Sequence, residues 1–324
     1  MRLLVLGGTL FLSRAVAEEA VRRGHEVTCA CRGSRAVPVG VRHIALDRST
    51  AAAADVLSDE YDAVVDVARH PSWVRSALEA VPGAHWVFVS TVSVYAGTTS
   101  VGAGPGALPL VTEIGEDVDL TENPEAYGGM KVACERAVLG RRPGATVVRP
   151  GLVVGPGDPS GRFTYWPVRL ADPGPVLAPG PPETPVQVVD ARDLAAWLVT
   201  CAEQGLPGVV DGVGPVHSWA ELLDEVAVGV GADPELAWVD QARLVQLGVR
   251  PWVGPGSLPV WLPEGAGMLA HDPAPALAAG LRCRPVRDTA EDVLAWVRSD
   301  PAAPVSGVSR AEEQELLRRA AVRP

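Results

Sequence analysis

Residues 2–13, RLLVLGGTLFLS, combine a short apolar run, a glycine pair and the start of a helix. The apolar run at 3–6 predicts a strand, and residues 11–23 predict an amphipathic helix with one apolar face. The glycine pair permits a tight turn, and the N-terminus of the helix offers free N–H groups to a phosphate. We therefore expect this turn to contact a nucleotide cofactor through Gly7, Gly8, Thr9, Leu10, Phe11 and Leu12.

The turn departs from the usual dinucleotide-binding pattern at two positions. That pattern has glycine at three places, for the turn itself, for backbone approach to the pyrophosphate and for helix–strand contact. Leu10 stands at the second place and Ser13 at the third. We expect Leu10 to crowd the diphosphate and to alter cofactor affinity. A tight turn without a ligand is the alternative interpretation.

Short apolar runs alternate with helical stretches through the first half of the chain. Further strands are predicted at 26–30, 43–46, 63–67, 86–89 and 145–148. Such alternation is typical of parallel crossover units. The sequence therefore predicts an α/β fold with a Rossmann-type doubly wound parallel sheet, which binds its ligands at the carboxyl ends of the strands.

The second half of the chain differs in composition. Residues 155–186 are rich in Pro and Gly, whereas 186–190 predict a strand and 191–203 a helix. Near the end, Ser309 and Glu312 predict a capping box for a last helix. The predicted division is a nucleotide-binding domain (1–155, with 186–204 returning to it), a smaller C-terminal α/β substrate lobe (156–185 and 205–300), and a tail and helix (301–324) with a flexible joint at 300–308.

Charge and cysteine content limit the classes of function. The net charge is −11 and the pI about 5.1, and no basic run stands out, so nucleic acid and anionic membranes are not expected partners. No apolar run approaches the roughly 18 residues of a membrane span. The five cysteines have no framework spacing and the six histidines form no ligand cluster. We expect reduced thiols, a cytoplasmic location and no metal site.

The segment after the second predicted strand bears on the choice of cofactor. An acidic residue there binds the ribose 2′-hydroxyl and favours NAD. Residues 31–33 contain Arg32 and no acid, and a guanidinium suits a 2′-phosphate, so we expect NADP(H) in preference to NAD(H). Asp47 and Ala68, after the third and fourth strands, are further candidates for cofactor contact. Arg14, in the first helix, is a second phosphate candidate.

Lys131 is the only lysine in the chain, and Tyr127 stands four positions before it. On a helix the two side chains share one face. A nearby ammonium lowers the pKa of a phenol, which in water is about 10, and prepares it to exchange a proton with a carbonyl or an alcohol. Thr91, after the fifth strand, can hydrogen-bond the same oxygen. We predict Tyr127, Lys131 and Thr91 as catalytic residues and Lys131 also as a cofactor contact; a surface pair that only stabilises the helix is the alternative.

Two glycines, Gly128 and Gly129, lie between this pair. Each costs about 1 kcal/mol in a helix interior, which argues against a purely stabilising role for the segment. We expect the glycines to let substrate or cofactor come close to the helix.

Several stretches together resemble the extended short-chain dehydrogenases/reductases of the epimerase/dehydratase type, and more narrowly the reductase-like members grouped with isoflavone-reductase-like proteins. These stretches are GGTLFLS (7–13), STVSVY (90–95), YGGMK (127–131), RPGLVVGPGD (149–158) and VQVVDARDLA (186–195). They occur in the family's order and lie within about the first 200 residues.

The resemblance implies a Rossmann fold that binds NAD(P). It implies that Tyr127 is the general acid/base, that Lys131 is its partner and that Thr91 takes the family's Ser/Thr role, with Ser90 as the fallback. It also implies a structural role for residues 190–193, which tie the sheet to the lobe, and a homodimer formed through the tyrosine-bearing helix and its neighbour.

A polar and aromatic group is expected to contact the substrate. The aromatic cluster that follows the Pro/Gly-rich turn, together with one arginine, suits a flat and largely apolar molecule. The alternative is that its aromatic residues anchor the core of the lobe. The candidate substrate contacts are Ser93, Arg162, Tyr165 and Trp166.

These observations leave three hypotheses of function. The first is an NADP(H)-dependent oxidoreductase that interconverts a carbonyl and an alcohol on a small, aromatic or polyketide-like molecule. The second is a nucleotide-sugar epimerase or dehydratase with bound NAD. The third, suggested by Leu10 and Ser13, is a cofactor-sensing or ligand-binding protein without turnover.

Overall fold

A computed structural model describes residues 1–50, 53–97 and 99–321 of the chain. Its strands are β1 (Arg2–Leu6), β2 (Glu26–Cys31), β3 (Arg42–Ala45), β4 (Ala63–Asp66), β5 (His85–Val89), β6 (Thr146–Pro150), β7 (Leu152–Val154), β8 (Val176–Gly180), β9 (Pro185–Asp190), β10 (Gly208–Gly212), β11 (Val216–Ser218), β12 (Leu236–Asp240), β13 (Arg250–Trp252) and β14 (Ser257–Pro259). Its α-helices are α1 (Phe11–Arg22), α2 (Pro71–Ala80), α3 (Ala126–Arg141), α4 (Tyr165–Ala171), α5 (Ala191–Gln204), α6 (Trp219–Val230), α7 (Gln241–Gln246), α8 (Ala274–Ala278), α9 (Val286–Ser299) and α10 (Arg310–Ala321). Short 3₁₀ turns occur at Ala53–Asp55, Val92–Val94 and Ala266–Leu269.

The central sheet has seven parallel strands in the order β3-β2-β1-β4-β5-β6-β10. Its strands are continuous apolar runs because helices cover both faces of the sheet. Leu3 and Val5 pack on the side of α1 and α5, whereas Leu4 and Leu6 pack on the side of α2 and α3. The strand order reverses between β1 and β4, which is the switch point where such sheets bind ligands. The predicted fold class is confirmed.

The predicted boundary of the substrate lobe at residue 205 is corrected by the structure. Residues 208–212 form β10, which pairs in parallel with β6 and completes the sheet. This strand, GVVDG, is too short and too rich in glycine to read as a buried strand, and its place follows only from pairing with a distant segment.

The lobe has a core of its own, separate from the two faces of the sheet. Trp166, Trp219 and Trp261 lie inside it, together with apolar residues of β8, α6 and α9. Small sheets of two or three strands, β7-β9-β11, β8-β12 and β13-β14, frame this core. The lobe is therefore an α/β unit, as the sequence predicts.

The C-terminal segment belongs to the lobe. The predicted capping box is present, since Ser309 N–H donates to Glu312 and Glu312 N–H donates to the Ser309 hydroxyl. The predicted flexible joint at 300–308 stays a prediction, although its last residue is anchored: Val308 is buried in the lobe core and its N–H donates to the Ser257 carbonyl. In addition, the Gly307 carbonyl accepts from Gly256.

Residues at the start of α5 join the sheet to the lobe, in agreement with the structural role expected of them. Asp190 accepts hydrogen bonds from Arg192 and from the Thr289 hydroxyl of α9. Asp193 accepts from Arg284 at 2.8 and 3.0 Å. These contacts hold α9 against the N-terminus of α5. Within the described residues, no helix is long and apolar enough to cross a membrane.

Candidate active site

One cavity of about 670 Å³ lies at the carboxyl ends of the central strands. Its floor is the turn after β1, the ends of β2 and β4, and the segment after β5. The lobe contributes the opposite wall, which includes Arg162, Trp252 and Met268. The cavity therefore opens between the sheet and the lobe, where the doubly wound topology predicts a ligand.

Lys131 lies on the sheet side of this cavity and is 1% exposed. Its ammonium donates to the carbonyls of Ala68 at 2.7 Å and Val89 at 2.5 Å, and it lies 4.6 Å from the centre of the Phe88 ring. Burial lowers the pKa of Lys131 to about 8, because the charged form loses its hydration. An ammonium has three donors, so one N–H is left for a ligand.

Tyr127 lies one helical turn from Lys131, half-buried on the cavity wall. Burial raises the pKa of the Tyr127 phenol above its ordinary value, while the charges of Arg69 and Arg162 and a hydrogen bond with the Thr91 hydroxyl lower it. The sequence predicts that Lys131 tunes the pKa of this phenol. The cations with the largest effect are instead the two arginines.

Two neighbouring hydroxyls in the segment after β5, those of Ser90 and Thr91, have different hydrogen-bond partners. Ser90 donates to the buried carboxylate of Glu135 at 2.5 Å and is occupied by that bond. Thr91 caps the following 3₁₀ turn by accepting from Ser93 N–H at 3.1 Å, and its own hydroxyl donates to the Ser93 oxygen at 3.1 Å. Both hydroxyls line the cavity, but that of Ser90 is engaged by Glu135, so the geometry favours Thr91 for the hydroxyl role.

The glycine turn accommodates its two unusual residues. Leu10 has an extended φ of −129°, which any residue adopts, and its side chain is 48% exposed. Ser13 is buried, and its hydroxyl donates to the Leu10 carbonyl at 2.8 Å. The left-handed backbone falls one residue later, on Phe11 with φ 37°. Strain of this kind is common at ligand sites.

The far end of the cavity holds the residues expected near the adenosine. Arg32, Ser34 and Asp47 line it. Hydrogen bonds from Ser49 lower the pKa of Asp47, and the charge of Arg32 contributes to that shift. The expectation for Arg14 is wrong, because its guanidinium bonds Glu18 and the Ala36 carbonyl and does not line the cavity.

A model of known protein families matches residues 3–211 of this chain, and its description is the NAD dependent epimerase/dehydratase family. That stretch covers more than half of the chain.

The chain belongs to the NAD dependent epimerase/dehydratase family.

The resemblance to extended short-chain dehydrogenases/reductases is thereby confirmed. A ceramide reductase of Caulobacter vibrioides is 33% identical over 113 residues, which span 34% of this chain and 35% of that protein. The aligned stretch is therefore about a third of the length of the relative.

Solved structures of the same fold are more distant in sequence. The UDP-glucuronic acid 4-epimerase of Bacillus cereus in complex with NAD has a TM-score of 0.64 at 15% identity, over 94% of this chain and 99% of that one. The Thermus thermophilus UDP-glucose 4-epimerase complex with NAD has a TM-score of 0.63 at 19% identity, over 92% and 99%. At such identities the likeness establishes the fold.

The turn and the sheet edge fit the nicotinamide cofactor of the family. Gly7 and Gly8 have φ of 134° and 98°, and a Cβ on Gly8 would lie 2.1 Å from the Cys29 sulfur, so that glycine is required by packing. Helix α1 has no side-chain cap, which leaves its first N–H groups to an anion. The spare donor of Lys131 suits a ribose hydroxyl.

Most of the residues predicted to contact cofactor or substrate line the cavity. Gly8 does not, because it packs beneath the turn against Cys29. The other cofactor candidates on the wall are Gly7, Thr9, Leu10, Phe11, Leu12, Arg32, Asp47, Ala68 and Lys131. Their contacts with a bound cofactor stay predictions.

Two of the substrate candidates are corrected by the structure. Tyr165 and Trp166 are 4% and 0% exposed and belong to the lobe core, where Trp166 donates to the Pro259 carbonyl at 3.1 Å. They do not line the cavity, whereas Ser93 and Arg162 do. Burial of the large aromatic surface of this pair stabilises the core of the lobe.

The glycines between Tyr127 and Lys131 also have a different role from the expected one. A Cβ on Gly128 would lie 2.3 Å from the Ser93 carbonyl oxygen, and one on Gly129 would lie 2.7 Å from that of Thr112. The glycines let α3 approach the protein's own backbone and do not line the cavity.

Sequence reasoning missed several residues of the cavity wall. Arg69 follows β4, so the rule that ligands lie at carboxyl ends would have found it. Arg48, which forms a two-point ion pair with buried Asp66, holds the same edge in place. Trp252 comes from the lobe and shows no sequence signal of its role.

Proposed function

We propose that this protein is an NADP(H)-dependent oxidoreductase that interconverts a carbonyl and an alcohol on a small molecule. The observation that carries the proposal is the meeting of three groups on one cavity wall: the Tyr127 phenol, the Thr91 hydroxyl, and the buried amine of Lys131. When bound, the nicotinamide cofactor supplies a hydride to the carbonyl carbon or accepts one from the alcohol.

The protein's own residues handle the proton. In reduction, the Tyr127 phenol donates its proton to the carbonyl oxygen, so that one hydride and one proton convert the carbonyl to an alcohol. Because burial raises the pKa of Tyr127, the phenol is protonated at neutral pH and ready to act as an acid. The Thr91 hydroxyl, together with the charges of Arg69 and Arg162, favours the phenolate that is left.

The cavity supports a small substrate. The cavity of about 670 Å³ lies within the range of about 300–1,000 Å³ found for ligand pockets, so a substrate that shares it with a dinucleotide is small. Its lobe wall includes Trp252, Met268 and Leu269, which suit a flat, apolar body such as an aromatic or polyketide-like carbonyl compound. The partial similarity to a ceramide reductase also supports a reduction.

The preference for NADP(H) rests on the end of β2. Arg32 and Ser34 line the cavity there, and the segment 31–35 contains no acid that would pair with a ribose 2′-hydroxyl. NAD(H) is the second possibility, supported by the complexes of the structural relatives.

A nucleotide-sugar epimerase or dehydratase with bound NAD is the second candidate function. It is supported by the structural relatives that are UDP-sugar epimerases in complex with NAD. An enzyme of this kind is isolated with NAD attached and converts UDP-glucose without net consumption of NADPH. The third hypothesis, a protein without turnover, is not favoured, because the Tyr127, Lys131 and Thr91 set is complete.

The Tyr127→Phe variant tests the proposal. It removes only the phenol oxygen, and general acid catalysis contributes roughly 10²–10⁴-fold, so we expect kcat for carbonyl reduction to fall by about that factor. NADPH affinity, measured by fluorescence titration, should stay within twofold.

The matched control is Tyr165→Phe, since the Tyr165 hydroxyl is buried with no hydrogen-bond partner among the described residues and does not line the cavity. It should keep wild-type kcat. Full turnover in folded Tyr127→Phe would refute the proton-transfer assignment, and failure of both NADPH and NADH to bind would refute both enzyme proposals.

We also propose a homodimer, on the family resemblance alone. The outward residues of α2 and α3 form ion pairs, such as that of Arg141 with Glu79 at 2.8 Å, so the proposed interface is polar and sensitive to salt. Light scattering that gives the mass of one chain at low ionic strength would contradict it.

A further inference from the structure

The lobe wall of the cavity carries an arginine whose charge has no acidic partner in direct contact. The guanidinium of Arg162 lies over the Trp252 ring, 4.6 Å from its centre, and its Nε donates to the Ser160 hydroxyl at 3.0 Å. Among the described residues no carboxylate lies within ion-pair distance of it, whereas the buried Arg149 and Arg169 each bond a glutamate. Arg162 is half-buried and differs from these two arginines in having no carboxylate partner among the described residues.

Arg162 lines the cavity and keeps most of its side-chain donors free of protein acceptors among the described residues. A guanidinium has five N–H donors, and only one of them is used by a protein acceptor among the described residues. Arg162 lines the cavity together with Ser160 and Trp252, so the four remaining donors are available to a ligand. Stacking on Trp252 holds the plane of the guanidinium, which reduces the entropy lost when a ligand binds.

Charged groups near Arg162 limit the net charge of a ligand that binds there. Burial lowers the pKa of Arg162, and the charges of Asp158 and Tyr127 act in the opposite direction. Asp158 is itself 3% exposed and accepts from the N–H and hydroxyl of Ser160, both at 2.8 Å. Arg162 thus lies between the proton-donating tyrosine and a buried aspartate.

We propose that the substrate carries a carboxylate which pairs with Arg162, so that the enzyme acts on oxo acids or the corresponding hydroxy acids. This inference rests on the proposed function and adds the class of its substrate. The planar fork of Arg162 matches the two oxygens of a carboxylate, and the Trp252 face covers the adjoining apolar part of the molecule.

A carboxylate fits this position better than a phosphate. One guanidinium balances a single negative charge, whereas a phosphate monoester carries close to two at neutral pH. Asp158 lies near enough to affect the pKa of Arg162, so a dianion would be repelled by it. The site therefore favours a monoanion.

The reaction balances with the groups already named. The oxo acid receives a hydride from the reduced cofactor at its carbonyl carbon and a proton from the Tyr127 phenol at its carbonyl oxygen. The products are a hydroxy acid and the oxidised cofactor, and the phenolate regains its proton from solvent. The carboxylate on Arg162 takes no part in bond exchange and fixes the position of the carbonyl next to Tyr127.

Binding of matched pairs of compounds tests the inference. The probes are 2-oxo-4-phenylbutanoate, 4-oxo-4-phenylbutanoate and 4-acetylbenzoate, each with its methyl ester, titrated by calorimetry into the full-length protein with and without NADP⁺. We expect at least one acid to bind about tenfold to a hundredfold more tightly than its ester, as a charge-assisted pair provides. Phenyl phosphate against benzoate serves as the comparison of anions.

Variants assign the effect to one residue. Arg162→Gln should remove the preference for the acid and leave the affinity for the ester and for NADPH within twofold. Arg162→Lys, which keeps the charge without the planar fork, should keep only part of the preference. The control is Arg298→Gln on α9, an exposed arginine outside the cavity, which should leave all affinities unchanged.

The outcomes separate this inference from the proposed function. If no acid binds more tightly than its ester, if the preference survives in Arg162→Gln, or if phenyl phosphate binds more tightly than benzoate, the carboxylate assignment is wrong. If NADPH nevertheless binds and Tyr127 is required for turnover of neutral carbonyl compounds, the proposed function stands alone. Acid preference in a protein that binds neither NADPH nor NADH would support the Arg162 site and refute the oxidoreductase.

Discussion

The ammonium of Lys131 is hydrogen-bonded to two backbone carbonyls at the edge of the sheet. It is not the main cation that affects the pKa of Tyr127. Its donors go to the carbonyls of Ala68 and Val89, which fixes the amine at the sheet edge before any ligand arrives. The charges that favour the phenolate come from Arg69 and Arg162. We therefore propose Lys131 as a positioning group for the cofactor ribose, with a pKa lowered by burial to about 8.

The titration of Lys131 can be observed directly, because the chain has only one lysine. Protein labelled with ¹³C-lysine should give one side-chain signal with a midpoint near pH 8, compared with about 10.4 for a lysine in water. Since the folded pKa is lower than the unfolded one, the unfolded state binds more protons between these values. The contribution of Lys131 to stability is thus unfavourable below pH 8 and is relieved as the pH rises. A midpoint above pH 10 would contradict the burial of the charge.

Arg32 is the residue on which the choice of cofactor depends. Arg32→Asp places a carboxylate where a 2′-phosphate is proposed to bind, so the dissociation constant of NADPH should rise at least about tenfold while that of NADH changes little or falls. Fluorescence titration of both nucleotides measures the change. Arg14→Gln is the control, because Arg14 pairs with Glu18 outside the cavity and should alter neither value. Equal losses for both nucleotides would contradict the assignment.

At the scale of elements, α3 depends on how closely it approaches the backbone after β5. Gly128 touches the Ser93 carbonyl, and Ser93 in turn holds Thr91 through two hydrogen bonds. The glycine that weakens the helix is thus the one that sets the distance between Tyr127 and the hydroxyls of the neighbouring turn.

Gly128→Ala should therefore affect both stability and turnover. Its Cβ would meet the Ser93 oxygen at 2.3 Å, and since this oxygen belongs to the backbone the turn must move. We expect the free energy of unfolding to fall by about 1–3 kcal/mol and kcat to fall with it. Denaturant titration and steady-state kinetics measure the two effects.

Gly140→Ala in the same helix is the control. Nothing lies within 4 Å of its Cβ position, so the substitution should stabilise the protein by about 0.5–1 kcal/mol through the gain in helix propensity. If the two alanine variants had the same stability, close packing of α3 on the turn would be disproved.

At the scale of the whole molecule, the last helix closes the lobe that covers the cavity. Glu313 of α10 is fully buried, where it accepts from Arg169 of α4 at 2.7 Å and from Leu177 N–H of β8 at 2.9 Å. The C-terminal segment is thereby a structural part of the lobe that carries Arg162.

Removal of this buried carboxylate should be costly. Glu313→Ala leaves the charge of Arg169 buried without its partner, so we expect a loss of about 3–5 kcal/mol in the free energy of unfolding. Glu315→Ala, next on the same helix, breaks only an exposed pair with Arg318 and should cost less than about 1 kcal/mol. Thermal and denaturant unfolding of both variants test the prediction, and similar losses would show that α10 is not anchored through Glu313.

The sequence by itself determined the fold class and predicted the residues of the proposed proton-transfer set. Alternating apolar runs dictate a parallel sheet because each run can be buried only between two layers of helix. Tyr127 and Lys131 are predictable because helix geometry places positions i and i+4 on one face. The glycine turn is predictable because it adjoins the first strand. All of these signals are local in the chain.

Only the tertiary structure decided what depends on distant segments. The seventh strand is recognised by its pairing with β6, and the burial of Tyr165 and Trp166 follows from the lobe elements that enclose them. Arg162 and Trp252 are 90 residues apart in the numbering and meet only across the folded lobe. No spacing in the sequence encodes such a contact, because the free energy that creates it comes from burial of the surrounding core and not from the residues that line the cavity.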